Sequence, residues 1–329
     1  MSGIKPAISA ALRGTGSCVP TRVVRNDEFT ATLDTSDEWI RTRTGIRERR
    51  FAGPNDTASS LAIVAARSAL ENAHLTPDDL DLIVCATISP DLMCPASANL
   101  IQAGLGCRPI PSFDILAACS GFLYALSVGD QFIRTGTASN VLVVGAEILS
   151  RVSDFTDRNT CILFGDGAGA AVLSATDEPD RGLRSIRLYS DGSREALIRV
   201  PGMVTLQPQG HKPIRYLQLN GREVFKFAVY RMIELIEEAL VYCRSINCEI
   251  SLLIPHQVNQ RIIDAALEAC GFPRDKVMVN LDRYGNTSAA SVPIAMDEAM
   301  RDGRARPGDT ILLVAFGGGL TWGSCVITL

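Results

Sequence analysis

Phe113-Asp114-Ile115-Leu116-Ala117-Ala118-Cys119-Ser120-Gly121-Phe122-Leu123-Tyr124-Ala125-Leu126 reads as a short apolar strand, a turn of small residues and the start of a helix. Phe122, Leu126 and Gly129 recur at helical spacing, and Gly136 follows as a stop signal. Cys119 falls at the corner, about at the helix's first turn. Free peptide N–H groups and the positive end of a helix dipole favour a thiolate there, which predicts a primed nucleophile. The competing reading is one more core cysteine among the ten of the chain.

Working outward, the same order of elements occurs twice. Leu82 and Leu252 each open a buried strand, and so do Val141 and Ile311; both pairs stand 170 positions apart. Helix, strand, turn and helix lie between the members in each case, and each half ends on a strand, Ala170–Leu173 and Ser324–Leu329. This predicts an α/β protein of two similar halves, residues 1–180 and 181–329, with mostly parallel sheets covered by helices. Ala58 to Ala73 and Glu223 to Cys243 read as amphipathic helices, Val277–Leu281 as a strand, and Arg184 to Leu219 as an irregular excursion. Sites in such folds collect where strand ends meet helix starts. Cys119, His256 in Pro255-His256-Gln257-Val258-Asn259, and Asn286 in Gly285-Asn286-Thr287-Ser288 occupy such junctions. Taken singly, His256 also reads as a structural histidine and Asn286 as a helix cap. Gly317-Gly318-Gly319 reads as a turn that lets a backbone N–H approach a ligand.

Composition narrows the function. The chain of 329 residues is 47% hydrophobic, with 32 basic against 36 acidic side chains. No Lys/Arg run points to nucleic acid, and no apolar run reaches the roughly 18–20 residues of a membrane span. The Met1–Ala10 stretch does not read as a signal peptide. The cysteines form no C-x-x-C pair, so a reduced, cytoplasmic protein is expected. Three histidines with no clustered ligand spacing argue against zinc. Gly165–Gly169 superficially resembles a dinucleotide loop, but the helix and acidic strand that should follow are missing. Trp39 with five arginines between Arg41 and Arg50 suits a nucleotide, the ring for a base and the cations for phosphates; a capped helix with a solvated face is the alternative.

Six stretches carry a resemblance to the β-ketoacyl-acyl-carrier-protein synthase III family, of thiolase fold: Asp34–Arg49, Ala117–Gly121, Phe164–Ala171, Pro255–Asn259, Gly285–Ser291 and Phe316–Gly323. The resemblance implies two pseudo-symmetric halves in an α-β-α-β-α layering and a decarboxylative condensation of an acyl-CoA with a malonyl-carrier protein, without metal or redox cofactor. It implies Cys119 as nucleophile, His256 and Asn286 as donors to the malonyl thioester oxygen, and the Cys119 and Gly318 N–H groups as the oxyanion site. Trp39 and Arg158 would sandwich adenine, Arg43 would meet phosphates, Gly221 and Asn259 the pantetheine arm, and Phe225 the tunnel wall. Lys226, Gln257 and Arg261 would meet the acidic carrier protein. A homodimer is implied, with Met93 and Cys94 on a loop shaping the acyl pocket. Cys94 stands where the family often has an aromatic residue, which predicts room for longer or branched primers. Glu268 stands where some relatives are basic. A related condensing enzyme or acyltransferase of secondary metabolism is the alternative, and a Cys-His-Asn hydrolase or an acyl-binding protein lies further off.

Overall fold

The structure, a computed structural model, describes residues 8–178, 180–202 and 216–329. His211, Pro208 and Pro213 of the expected excursion lie outside the described residues. The doubling read from the sequence appears in the ladders themselves. Leu82 pairs with Val141 in one parallel ladder, and Leu252 pairs with Ile311 in the other. The offset of 170 extends to the strands Asn140–Ile148 and Thr310–Gly317, to the short turns Ala118–Ser120 and Ser288–Ala290, and to the starts of the helices Gly121–Arg134 and Ser291–Arg301.

Period-two alternation assigns the two faces of each sheet. Leu82, Val84, Val141 and Val143 of the first sheet share one core with Leu252, Ile254, Ile311 and Leu313 of the second, and Phe122, Leu126, Val292 and Met296 of the two central helices lie between them. Ile83, Leu142 and Val144 turn the other way, onto the helix Ala58–Ala73. Leu253, Leu312 and Val314 pack beneath the helices Gly221–Ser245 and Gln260–Cys270. The result is helix, sheet, helix, sheet, helix. No helix among the described residues is long and apolar enough to cross a membrane.

Three expectations are corrected. The sheets are mixed, not mostly parallel. Each has its parallel ladders on one side and antiparallel strands on the other, Asp166–Thr176 and Ser9–Cys18 in one, Thr321–Thr328 and Gly182–Ser190 in the other. Thr321–Thr328 follows its neighbour after three residues, too few for a parallel crossover. The strand Gly182–Ser190 overlaps the start of the stretch read as irregular; a register shift at Arg184 and the exposed Arg187 break the alternation. Val277–Leu281 is reduced to one bridge, Val277 to Leu253, because a short turn precedes it and the helix Leu281–Tyr284 follows.

Arg49 packs beside Gly165 and Gly285, next to the turn that carries Asn286. It is fully buried, donating from Nη1 to Asn26 Oδ1 (2.8 Å) and from Nη2 to the Ile162 carbonyl (2.6 Å), with its guanidinium 4.7 Å from the centre of the Phe29 ring. Burial lowers its pKa to about 10, opposed in part by the charges of Cys161, Glu28 and Glu48, so it stays charged at neutrality. The next carbonyl along, Leu163, accepts from the Asn286 N–H. Arg49→Ala leaves a cavity and orphaned carbonyls, and we expect a loss of about 3 kcal/mol in urea unfolding. Arg49→Met, which keeps most of the volume, should lose about half as much.

Candidate active site

A narrow cavity of about 110 Å³ lies where the two halves meet. Cys119, His256, Asn286, Ser288, Gly317 and Gly318 line it beside apolar walls that include Phe225 and Phe316. Gly317 is required by the fit, since a Cβ there would stand 2.5 Å from the Cys119 nitrogen. Cys119 and Gly318 sit in the short turns Ala118–Ser120 and Gly318–Leu320, where peptide donors lack partners within the turn.

His256 ends the strand Leu252–Pro255, its own N–H bonded to the Val314 carbonyl (2.7 Å). Its Nδ1 lies 2.6 Å from Ser291 Oγ. That oxygen also accepts from the Gln257 N–H at 3.4 Å, and its own hydroxyl is placed to donate to Nδ1. The tautomer this selects carries its hydrogen on Nε2. Burial lowers the imidazole pKa to about 3, so the ring is a neutral donor. Asn286 is fixed in the same manner. Its Oδ1 accepts from the Ser288 N–H (2.8 Å), which leaves the amide NH₂ for the cavity.

The primed thiolate read from the helix start is not what the fold holds at rest. The helix opens at Gly121, two residues on, and Cys119 is half-buried against a cavity whose walls are mainly apolar. Burial pushes the Cys119 thiol up to about 12; nearby Ser288 opposes the shift, Glu147 adds to it, and the Cys119 N–H offsets little. Proton removal therefore has to accompany attack.

Trp39, Arg43 and Arg158 converge as a cluster. Both guanidiniums lie over the indole, 5.8 Å (Arg43) and 5.1 Å (Arg158) from its centre, and Asp34 holds Arg158 through its carbonyl and carboxylate. Asn259 ties the cluster to the cavity it lines. Its Nδ2 donates to the Arg43 carbonyl (3.0 Å), and its Oδ1 caps the Arg261 N–H (2.9 Å). Gly221 lines the same cavity. Arg261 lies exposed, 5.6 Å over Phe225, and Lys226 is exposed and paired with Glu223. Glu268 is exposed on the same helix as Arg261.

Gln257 is a correction. It was expected at the carrier-protein surface, but it is buried and spent inside the fold. Its Nε2 donates to the Pro255 and Met278 carbonyls, and its Oε1 accepts from the Asn280 and Leu281 N–H groups. A brace with both ends of its amide occupied has nothing to offer a partner. Met93 and Cys94 are exposed and do not line this chain's cavity. Ser291, Ser288 and Glu147 were not singled out from sequence. The signal for Glu147 was available, a lone acid closing the apolar run that begins at Val141.

Comparison with known proteins follows this geometry. Residues 113–192 match the family model 3-Oxoacyl-[acyl-carrier-protein (ACP)] synthase III, and residues 247–329 match the model of its C-terminal part. A β-ketoacyl-[acyl-carrier-protein] synthase III of Erythrobacter litoralis is 47% identical over 97% of this chain and 99% of its own. The crystal structure of 3-oxoacyl-[acyl-carrier-protein] synthase III from Aquifex aeolicus superposes with a TM-score of 0.90 at 46% identity, over 97% of this chain and all of that one. The priming β-ketosynthase of the R1128 polyketide pathway superposes with a TM-score of 0.89 at 34% identity, over 98% and 96%. With a relative this similar along nearly its whole length, the chain belongs to the β-ketoacyl-acyl-carrier-protein synthase III family of thiolase-fold acyltransferases.

Proposed function

We propose that this chain condenses an acyl-CoA primer with malonyl-acyl carrier protein to give 3-oxoacyl-carrier protein, CoA and carbon dioxide, the step that initiates fatty acid synthesis. Cys119 attacks the primer thioester, the N–H groups of Cys119 and Gly318 hold the oxyanion, and CoA leaves. Malonyl-carrier protein then enters, and loss of carbon dioxide leaves an enolate that attacks the acyl-cysteine. His256 Nε2–H and the Asn286 amide stabilise the enolate oxygen. The observation that carries this reading is that both donors have their other heteroatoms tied inside the fold and face one cavity with Cys119.

The Trp39–Arg43–Arg158 cluster suits the nucleotide end of CoA, with Arg158 displaced from the indole as the base stacks. Gly221, Phe225 and Asn259 suit the pantetheine arm. Exposed Lys226 and Arg261 suit an acidic carrier protein. Leu92, Met93 and Leu116 are exposed apolar side chains, which supports a homodimer in which one protomer's loop shapes its partner's acyl pocket. The reading takes residues 1–180 and 181–329 as the two halves, with no metal or redox cofactor, and ten unpaired cysteines suit the cytoplasm.

Incubation with acetyl-CoA followed by peptide mapping tests the reading; the acyl group is expected on Cys119, and acylation of another cysteine or of none overturns it. A panel of acyl-CoA primers tests the pocket. With Cys94 in place of an aromatic side chain, turnover on butyryl-CoA should stay within about tenfold of that on acetyl-CoA. The R1128 likeness keeps a secondary-metabolic role as a second reading, decided by whether the product carrier belongs to fatty acid or polyketide synthesis. A Cys-His-Asn hydrolase is disfavoured, since it needs the asparagine on the histidine, whereas Ser291 holds His256 and Asn286 bonds Ser288.

A further inference from the structure

Two neighbouring strands run toward the cavity, and each delivers an apolar residue to its wall. The ladder between Leu82–Ala86 and Asn140–Ile148 pairs residues 59 positions apart, from Leu82 with Val141 to Ala86 with Gly145. The same offset sets Ile88 against Glu147 and Ser89 against Ile148, and there side chains take over from the main chain. The Ile88 N–H donates to Glu147 Oε2 (3.1 Å), and the Ile148 N–H donates to Ser89 Oγ (2.8 Å). Ser89 Oγ donates in turn to Glu147 Oε2 (2.5 Å), as does Thr87 Oγ1 (3.3 Å). The two chain segments are thereby locked together just past the last rung of the ladder. Ile88 lies inside this lock and Leu149 directly follows it, and both line the cavity with Cys119.

Glu147 is fully buried, and these partners of its carboxylate, two hydroxyls and a peptide N–H, carry no charge. Burying an acid without a counter-charge costs stability, so what the lock secures is the position of its neighbours. Ile88, Leu149, Leu163 and Leu217 pack with Phe164 as one apolar cluster, and all five line the cavity. Asn259, another lining residue, leads by its bond to the Arg43 carbonyl toward the Trp39 cluster that suits the nucleotide. The apolar group is left for the acyl chain that is carried to Cys119.

We propose that Glu147 is a positioning residue for primer selection: with Ser89 it holds Ile88 and Leu149 as a fixed wall against the acyl chain and thereby limits its length. This role rests on the condensing activity proposed above. A chain that outgrows the space has to push Ile88 outward against these hydrogen bonds. Without an acceptor at residue 147, the Ile88 N–H and the Ser89 hydroxyl lose their partner and the segment yields. Charge is not what the lock needs. A glutamine whose oxygen takes the place of Oε2 keeps all three donors, whereas a methionine of similar length keeps none.

Condensation kinetics with acetyl-CoA and octanoyl-CoA as alternative primers test this role. In Glu147→Met the octanoyl-to-acetyl ratio of kcat/KM should rise about tenfold, through a lower KM for octanoyl-CoA. Ser89→Ala should move the ratio the same way by about threefold, and Glu147→Gln should keep it within about twofold of the unaltered protein. Ile88→Ala, which opens the wall directly, should raise it at least as far as Glu147→Met, and combining the two should raise it no further. A lock that serves stability alone would lower turnover of both primers together and leave the ratio where it was. A ratio unmoved in Glu147→Met or in Ile88→Ala overturns the role, as does a Glu147→Gln ratio that moves as far as that of Glu147→Met. Should circular dichroism show that Glu147→Met does not fold, Ser89→Ala and Ile88→Ala decide. Failure of the unaltered protein to acylate Cys119 from either primer overturns the condensing function itself.

Discussion

Cys119→Ala is expected to lower condensation by about 10⁴-fold or more while leaving malonyl decarboxylation measurable. In the proposed mechanism the sulfur is the atom on which the acyl group waits between two substrates, so its removal would eliminate the intermediate rather than slow one step. Alanine fits the corner. The turn Ala118–Ser120 is built from small residues, and the backbone contact with Gly317 involves the main chain of residue 119. The proposed enolate donors, His256 and Asn286, are tied to Ser291 Oγ and to the Ser288 N–H, and neither bond involves the thiol. The variant should therefore release carbon dioxide from malonyl-carrier protein and accumulate acetyl-carrier protein, with no 3-oxo product. Condensation within a hundredfold of the unaltered rate would show that the acyl group is carried elsewhere.

That split between sulfur and donors follows from the doubled fold, which the sequence showed well in some places and poorly in others. Leu82 and Leu252 were legible because both faces of their strands are covered, so each strand appears as an uninterrupted apolar run. Gly182–Ser190 was not, because a register shift at Arg184 and the exposed Arg187 break the alternation that marks a strand. The positions of Cys119, His256 and Asn286 could be read from junctions and from family resemblance. Their protonation states could not. A helix start is visible in a string of residues, but the apolar wall that keeps the Cys119 proton in place comes from segments far apart in the chain, such as Leu149 and Phe316. Gln257 misled for a related reason. An amide beside a site residue suggests a surface contact until the chain near Asn280 folds over it and takes both ends of the side chain.

His256→Ala is expected to lower malonyl decarboxylation by about 10²–10³-fold while acylation of Cys119 stays within a few-fold of the unaltered rate. In the proposed mechanism the asymmetry arises because the donor serves the oxygen that becomes negative in the second half-reaction, whereas the first relies on peptide N–H groups and the cysteine. The imidazole also makes a prediction in pH. Its folded pKa of about 3 lies below the ordinary 6.5, so it binds a proton only in strong acid. Decarboxylation should therefore show no acid limb near 6.5, and the neutral donor should persist down to about pH 4. The same displacement links to stability. The unfolded chain binds the proton more readily between these values, so this group's contribution is present above about 6.5 and is lost as pH falls toward 3. Ser291→Ala adds the control. It frees Nδ1 to carry the hydrogen and turns a lone pair toward the cavity, so decarboxylation should fall about tenfold with little change in acylation. Equal loss of both half-reactions in His256→Ala would mean that the ring serves the sulfur, and the division of labour between the two halves of the fold would have to be reversed.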